Sequence, residues 1–224
     1  MALTGWSTSN YLQASTAFVS AAPFTISCWI KLNASTGVIR NIFTFCNSTN
    51  ITDRFNFVIT AANLPSVIAA DTASGAVQTN GTTTLDTTGT VWYHLAFVAV
   101  DITTRSIYVN GSSEGTSITA RTPSGINQTN IGVRGGSSVA NPATSIDIAE
   151  LTIRNVAVSG SDLSQEAVGA SSLFARPSTI GCYYRLINTN LGGRNIFSSY
   201  NLTTTGTLTD ASHPKITYPS HCII

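Results

Sequence analysis

The carboxylates are the side chains of this chain that could perform acid–base catalysis. Hydrolysis of a glycosidic bond needs two of them facing the same bond, one as acid and the other as nucleophile or base. The nearest approach to such a pair is Asp147 and Glu150. Residues three apart on a strand point to opposite faces unless a bulge intervenes, so we expect no catalytic pair. For Glu150 we expect a structural, hydrogen-bonded role inside the fold.

The three histidines lack the partners that catalysis or metal binding requires. His94 has no serine or cysteine nucleophile motif beside it, so we expect a histidine of the core or of a sheet face. His213 and His221 lie near the C-terminus, far in sequence from any carboxylate pair. The sequence therefore predicts no catalytic and no metal-binding residue.

The cysteines give no sign of zinc or of a disulfide framework. They are widely separated and form no C-x-x-C pair, so we expect reduced thiols, some of them packed as small apolar side chains. The four are Cys28, Cys46, Cys182 and Cys222.

Composition excludes several classes of partner. Of 224 residues only 9% are charged, where about 25% is usual, and the formal net charge is +1. No basic stripe is present, which argues against nucleic-acid binding. No apolar run approaches the roughly 20 residues of a membrane-spanning helix, and residues 1–10 do not look like a secretion signal. We therefore expect a soluble protein that is not exported.

Local patterns predict an all-β chain. Short runs rich in Val, Ile, Thr, Phe and Tyr alternate with clusters of Gly, Ser, Asn and Thr, as in a two-sheet sandwich. One short helix is expected over 161–170, capped by Ser161 or Asp162. The predicted strands are 25–32, 41–46, 54–60, 66–70, 91–100, 106–110, 129–133, 146–156 and 182–187.

The chain divides into one domain and a tail. Residues 1–187 form the predicted sandwich, and residues 188–224 form an extended tail that packs on the domain or on a neighbouring subunit. Pro214 and Pro219 exclude a central strand in the tail. Because the tail is rich in threonine, we expect it to gain little hydrophobic stabilisation by itself.

Several motifs resemble laminin-G-like domains of the concanavalin A-like lectin/glucanase superfamily. Residues 91–98 (VWYHLAFV) with 106–111 (SIYVNG) are similar to that family's central hairpin. Residues 24–31 (FTISCWIK) resemble its opening strand, and 148–159 (IAELTIRNVAVS) its segment around a usual Glu, here Glu150. Residues 182–186 and 212–219 resemble the ends of such proteins in tailed-phage virions.

The resemblance implies a jelly-roll sandwich of two antiparallel sheets and no single activity. The Glu-x-Asp-x-(x)-Glu cluster of the superfamily's glycosidases is missing, so we expect no enzyme. The resemblance also raises calcium as an alternative, because related sandwiches bind it in rim loops. The acids at loop edges are Asp53, Asp71, Asp86 and Asp101, whose default role is that of solvated turn residues.

Aromatic side chains are the candidates for stacking on a sugar ring. Trp29 and Trp92 lie in motif strands, which favours core packing, whereas Trp6, Tyr200 and Tyr218 stay open as candidates. The motif strands also predict ten largely buried residues: Phe24, Ile26, Trp92, Leu95, Phe97, Ile107, Val109, Ile131, Leu151 and Ile153.

Two functions follow. The main hypothesis is a non-enzymatic virion structural protein of a tailed phage, a capsid-surface decoration or fibre-like subunit assembled in the host cytoplasm. Its partners would be further copies of itself, other virion proteins such as the major capsid protein, and, weakly, host or mucosal glycans. The low charge content and the scarcity of Lys, which occurs only at Lys31 and Lys215, motivate it. The alternative is a carbohydrate-binding lectin module without a structural role.

Overall fold

Fifteen strands and one α-helix make up the part of the chain that the structure, a computed structural model, describes: residues 2–189 and 193–219. A short 3₁₀ turn, Pro177–Thr179, precedes the strand β13. The elements are β1 Ala2–Thr4, β2 Tyr11–Ala14, β3 Phe24–Leu32, β4 Arg40–Cys46, β5 Arg54–Ile59, β6 Pro65–Asp71, β7 Gly75–Asn80, β8 Tyr93–Ala99, β9 Arg105–Val109, β10 Ser112–Ser117, β11 Gln128–Ile131, β12 Ile146–Arg154, α1 Gly160–Ala167, β13 Ile180–Tyr184, β14 Thr203–Thr205 and β15 Thr209–Ala211.

The strands form two antiparallel sheets, which confirms the predicted all-β jelly-roll sandwich. The first sheet has the order β10-β9-β8-β3-β12-β1-β15, and β13 also pairs with β12. The second has the order β14-β2-β11-β4-β5-β6-β7. Neighbours in each sheet are mostly distant in sequence, because the chain crosses repeatedly from one sheet to the other.

The core between the sheets follows from the alternation of side chains along each strand. Phe24 lies at its centre, with ring centroids 5.7 Å from Phe45, 5.1 Å from Phe55 and 5.2 Å from Phe97, all edge to face. Nine of the ten residues expected to be buried are buried. The exception is Trp92, which is half-buried and lies outside the core.

The central hairpin turns at Asn110 and Gly111, whose φ angles of 48° and 82° suit the tight turn that the Asn-Gly pair predicts. A Cβ on Gly111 would lie 2.7 Å from Ser164 Cα, because the turn packs closely against α1. The N-cap of α1 is Ser159 instead of Ser161 or Asp162. Ser159 Oγ accepts from Asp162 N while the Asp162 carboxylate accepts from Ser159 N, a reciprocal pair that fixes the helix start.

One extra residue interrupts β12, the central strand of the first sheet. Its pairing with β3 shifts register between Ala149 and Thr152, and Glu150 has a φ of 53°. This is a β-bulge. Ile148 and Leu151 both point into the core, so Glu150 points to the outer face of the sheet, as Asp147 does. The expectation that Asp147 and Glu150 point to opposite faces is therefore wrong.

The C-terminal segment is part of both sheets. β14 pairs with β2 in the second sheet and β15 with β1 in the first. Leu202 and Leu208 belong to the main core, at 6% and 2% exposure, so this segment is buried against the rest of the fold, while its lack of stability by itself stays a prediction. The division of the chain at residue 187 stays a prediction.

Cys28, Cys46 and Cys182 are free and buried, while His221 and Cys222 lie outside the described residues. Burial raises the pKa of each of the three thiols, which therefore stay protonated near neutral pH. No helix in the described ranges is long and apolar enough to cross a membrane.

Leu208→Ala should lower the free energy of unfolding by about 2–5 kcal/mol, because it opens a cavity where the C-terminal segment meets the core. The exposed neighbour Thr207 provides the control, and Thr207→Ala should change the free energy by less than about 0.5 kcal/mol. Urea unfolding of the two variants and the parent measures both values. Equal stability of the two variants would show that the segment does not contribute to the core.

Candidate functional site

A buried ion cluster lies on the outer face of the first sheet, beneath α1. Glu166 Oε2 accepts from Ser27 Oγ at 2.8 Å and lies 3.2 Å from His94 Nε2. Glu166 Oε1 accepts from Arg154 Nη2 at 2.5 Å. All four residues are at most 2% exposed. One helix carboxylate thus connects α1 to β3, β8 and β12.

The pKa of Glu166 results from opposing effects. Burial raises it, but the hydrogen bond from His94 and the positive charge of Arg154 outweigh burial and lower it from 4.5 to about 2. Glu166 is therefore ionised near neutral pH, and its carboxylate contacts Ser27, His94 and Arg154. Such a group stabilises the fold and is poorly suited to act as a general acid.

Glu150 lies between the first sheet and the C-terminal segment. It accepts hydrogen bonds from Tyr218 Oη at 2.7 Å and from the Tyr183 hydroxyl, and it lies 2.9 Å from His213 Nε2. Burial and the charge of Glu150 raise the pKa values of both tyrosines. Glu150 is hydrogen-bonded as expected, but it lies outside the sandwich core instead of within it, because the bulge directs it outward.

Asp147 has separate partners, 3.0 Å away at Lys31 Nζ and 2.7 Å away at Asn33 Nδ2. Glu150 and Glu166 line a common crevice with Trp29 and His94, but the crevice is too narrow to admit a water molecule. Although the bulge places these carboxylates on one face, they do not present an acid pair to an open groove.

The four loop acids hold backbone turns together. Each accepts at least one backbone N–H, and their pKa values are lowered, that of Asp101 to about 2 by hydrogen bonds from Thr103 and Thr104. Within residues 2–189 and 193–219, no three His, Cys, Asp or Glu side chains are grouped as a metal site would need. The N–H donors are Ser124 for Asp53, Ser74 and Thr122 for Asp71, Thr88 for Asp86, and Thr103 and Thr104 for Asp101.

The tryptophans do not form a platform for sugar stacking. Trp6 is 2% exposed and packs against Gly132, whose φ of 84° and missing Cβ make room for the indole ring. The expectation of core packing is wrong for Trp29 and Trp92, which are half-buried on the outer face of the first sheet. Lys31 Nζ lies 5.5 Å from the centre of the Trp92 ring.

The two candidate tyrosines are also occupied by internal contacts. The Tyr200 hydroxyl lies 3.0 Å from Thr129 Oγ1 and donates to the Thr16 carbonyl. Tyr218 belongs to the Glu150 cluster, and the Arg185 guanidinium lies 4.3 Å from the centre of its ring. The hydroxyl groups of both tyrosines are thus used within the fold, and Arg185 covers one face of the Tyr218 ring.

Amide side chains converge on the outer face of the second sheet. In β5 Asn56 alternates with Phe55 and Phe57, which enter the core, so Asn56 points outward, and Asn41 of β4 is hydrogen-bonded to it. Cross-strand partners share a face, and the register aligns Gln13, Asn130, Thr44 and Asn56 in one row across four strands. We call this surface the amide face and define it as Gln13, Asn41, Asn56, Gln128 and Asn130.

The amides of this face orient one another. Gln13 Nε2 donates to Asn130 Oδ1 at 2.8 Å, and Asn130 Nδ2 donates to Gln128 Oε1 at 3.0 Å. Asn56 Nδ2 donates to Asn41 Oδ1 at 2.7 Å. Because each contact fixes which end of the amide is the donor, the face presents donors and acceptors at set positions.

The loop 133–141 crosses part of the amide face. Gly136 N donates to Gln128 Oε1 at 3.1 Å, and Asn41 Nδ2 donates to the Asn141 carbonyl at 3.2 Å. Asn41 and Asn130 are fully buried and Asn56 is 2% exposed, whereas Gln13 and Gln128 are half-buried. The face is therefore a covered, preorganised surface that reaches solvent on the side of Gln13 and Gln128.

Three buried polar atoms on this face have no hydrogen-bond partner: Asn56 Oδ1, Arg54 Nε and Arg134 Nε. Burial and the positive charge of Arg134 lower the pKa of Arg54. Burial raises the pKa of Cys46 to about 12, against the opposing effects of the Asn130 hydrogen bond and of both arginines. The two guanidinium groups therefore act on the same part of the face.

The first sheet also has unpartnered nitrogens, on His94, Arg154 and Arg185, but each of these residues is paired with Glu150 or Glu166. Within the described residues, neither Arg54 nor Arg134 has a carboxylate within 4 Å. On the outer face of the second sheet, by contrast, Asn56 Oδ1 lacks a hydrogen-bond partner, and Arg54 and Arg134 lack an acidic partner among the described residues.

The model of the laminin G-like family described as the concanavalin A-like lectin/glucanases superfamily matches residues 6–164. The chain belongs to this family. The family match ends within α1, so β13, β14, β15 and the segment that covers Glu150 lie beyond it. No curated protein sequence matches the chain.

Solved structures share the fold. A candidate carbohydrate-binding protein from Bacteroides ovatus is 21% identical with a TM-score of 0.65, over 97% of this chain and 62% of that one. A heptameric SAP-like pentraxin from Limulus polyphemus is 15% identical with a TM-score of 0.59, over 90% and 89%. The CBM40 domain of a Ruminococcus gnavus IT-sialidase, bound to α2,3-sialyllactose, is 16% identical with a TM-score of 0.55, over 69% and 97%.

The sequence contained a signal for the amide face that a search for catalytic residues does not use. In residues 55–57 (FNF) an amide lies between two phenylalanines, and in residues 128–131 (QTNI) the amides alternate with Thr129 and Ile131. This alternation predicts outward amides, but an outward side chain on an antiparallel strand is ordinarily solvated. That the loop 133–141 would cover them depends on tertiary structure.

Glu166→Gln should lower the free energy of unfolding at pH 7 by about 3 kcal/mol, because the folded-state pKa is lowered from 4.5 to about 2 at about 1.4 kcal/mol per unit. The unfolded chain binds the proton more readily, so this stabilisation is complete above about pH 4.5 and is lost as the pH falls towards 2. The variant should show a correspondingly shallower loss of stability in acid.

Urea unfolding at pH 7, 4 and 2.5 measures this dependence. Asp210→Asn, which removes an exposed carboxylate, is the control and should keep the acid dependence of the parent. If Glu166→Gln and the parent lose stability in parallel from pH 4.5 to 2.5, the ion cluster does not stabilise the fold as argued.

Proposed function

We propose that the chain is a non-catalytic carbohydrate-binding module whose ligand lies on the amide face of the second sheet. The observation that carries this proposal is the convergence of five mutually hydrogen-bonded amide side chains on one face, two of which, Gln13 and Gln128, reach solvent. Membership of a family that includes lectins supports it.

The chemistry of the face fits sugar hydroxyl groups. A hydroxyl donates one hydrogen bond and accepts others, and a primary amide offers a carbonyl acceptor and two donors. The half-buried Gln13 and Gln128 are the amides of this face that a ligand hydroxyl can reach, and their contacts with the buried Asn130 hold them in place. The neighbouring amides are already oriented, so binding would lose little side-chain entropy.

The assignment as non-catalytic follows from the carboxylates. Asp147, Glu150 and Glu166 are each paired with a cation or held by several donors, and the crevice between Glu150 and Glu166 admits no water. Glycoside hydrolysis needs an acid and a nucleophile or base in contact with the substrate, which these groups do not provide. The similar solved structures, which include a carbohydrate-binding module bound to sialyllactose, fit a binding role.

The virion hypothesis is a separate proposal. Assembly on a phage capsid, the capsid-protein and homo-oligomeric partners, and the location in a virion stay predictions that no contact within this chain addresses. A capsid-surface subunit that binds glycans weakly would combine both functions. Negative-stain images of the native source would distinguish a regular lattice from a free protein.

The variant Gln13→Met tests the proposed binding surface, because it keeps the approximate length of the side chain and removes both hydrogen-bonding groups. We expect the parent to bind at least one member of a panel of neutral and acidic oligosaccharides. Gln13→Met should lower that affinity by about tenfold or more, since the ligand loses a hydrogen-bonding partner on the solvent side of the amide face. Isothermal titration calorimetry measures the affinities.

Asn80→Leu is the matched control, because Asn80 is exposed on β7 at the edge of the same sheet. It should keep the affinity of the parent, and urea unfolding should show that both variants are folded. Full affinity in a folded Gln13→Met variant would place the binding surface elsewhere, and the absence of binding to every saccharide would contradict the function.

A further inference from the structure

Two arginines without acidic partners border the amide face. Arg54 lies in the row Gln128–Cys46–Arg54–Ala70, next to the row of amides, and Arg134 follows β11 at the start of the loop that crosses the face. Both are half-buried, and both have a buried Nε atom without a hydrogen-bond partner. Two like charges are thus held close to one surface with no counter-charge among the described residues.

The groups around Arg54 do not neutralise its positive charge. Arg54 Nη1 donates to the carbonyls of Ile51 and Thr52, which fixes the guanidinium. The nearest loop carboxylate in sequence, Asp53, is used by Asn50, Thr72 and Ser124. The acidic residue closest to Arg54 along the chain therefore does not neutralise it.

We propose that Arg54 and Arg134 bind the carboxylate of an acidic saccharide, a uronate or a sialate, on the amide face. This rests on the proposed function and specifies its ligand class. A guanidinium engages a carboxylate through two parallel N–H donors, and both arginines are partly exposed to solvent. The charged group of the sugar is bound between the two arginines, and its hydroxyls are bound by the amides.

Paired ligands that differ in their charge test the proposal. Calorimetry compares trigalacturonate with its methyl ester, and α2,3-sialyllactose with lactose, on the complete chain. We expect the acidic member of at least one pair to bind about tenfold or more tightly, and that affinity to fall as salt is raised. The pair that shows the difference identifies uronate or sialate as the source of the carboxylate.

Arg134→Gln should abolish the preference for the acidic member. Arg176→Gln is the control, because Arg176 is 52% exposed beside Asp162, on the side of the first sheet, and should keep the preference. Urea unfolding checks that both variants are folded.

The outcomes separate this inference from the proposed function. Equal binding of acidic and neutral members, or a full acidic preference in folded Arg134→Gln, overturns the role of the arginines while saccharide binding stands. Failure to bind any of the four ligands or any other saccharide overturns both.

Discussion

The structure depends on one constraint: polar side chains on strands that are buried on both faces must find hydrogen-bond partners within the protein. The strands β3, β4 and β12 are buried along almost their whole length, so their outward side chains cannot rely on water. Each buried polar group needs a protein partner or carries a cost. The elements outside the two sheets lie where they supply these partners.

On the first sheet the partners of the buried polar groups are mostly charged side chains. α1 brings Glu166 to Arg154, and the bulge in β12 turns Glu150 towards His213 and Tyr218 of the C-terminal segment. Buried ion pairs gain little net stability by themselves, but removing one partner is costly. The helix and the C-terminal segment are therefore fixed in place, and the carboxylates that resemble catalytic groups in sequence are used to hold the fold together.

Sequence patterns could predict the fold further than the site. The alternation in residues 24–31 predicts a strand and the pair Asn110-Gly111 predicts a tight turn, because both depend only on neighbouring residues. The structure has both. The bulge at Glu150 could not be predicted, because the residue types around it look the same with or without a bulge. It depends on His213 and Tyr218, which are distant in sequence and contact the Glu150 carboxylate. Trp92 was misassigned for a related reason, since an aromatic residue next to a strand packs equally well in a core or beneath a long side chain such as Lys31.

The second sheet differs because some of its buried polar atoms, such as Asn56 Oδ1 and Arg54 Nε, have no hydrogen-bond partner. A sequence selected only for stability would replace Asn56 by an apolar residue and pair Arg54 with an acid, since both changes remove a cost in the free chain. The low charge content makes the unpaired arginines more informative, because few other charges are available to surround them. Sites that bind ligands commonly keep features that destabilise the free protein, and the ligand then satisfies them. This argument supports the proposal that the face with the poorer internal pairing binds the ligand, whereas the three carboxylates of the other face hold the fold together.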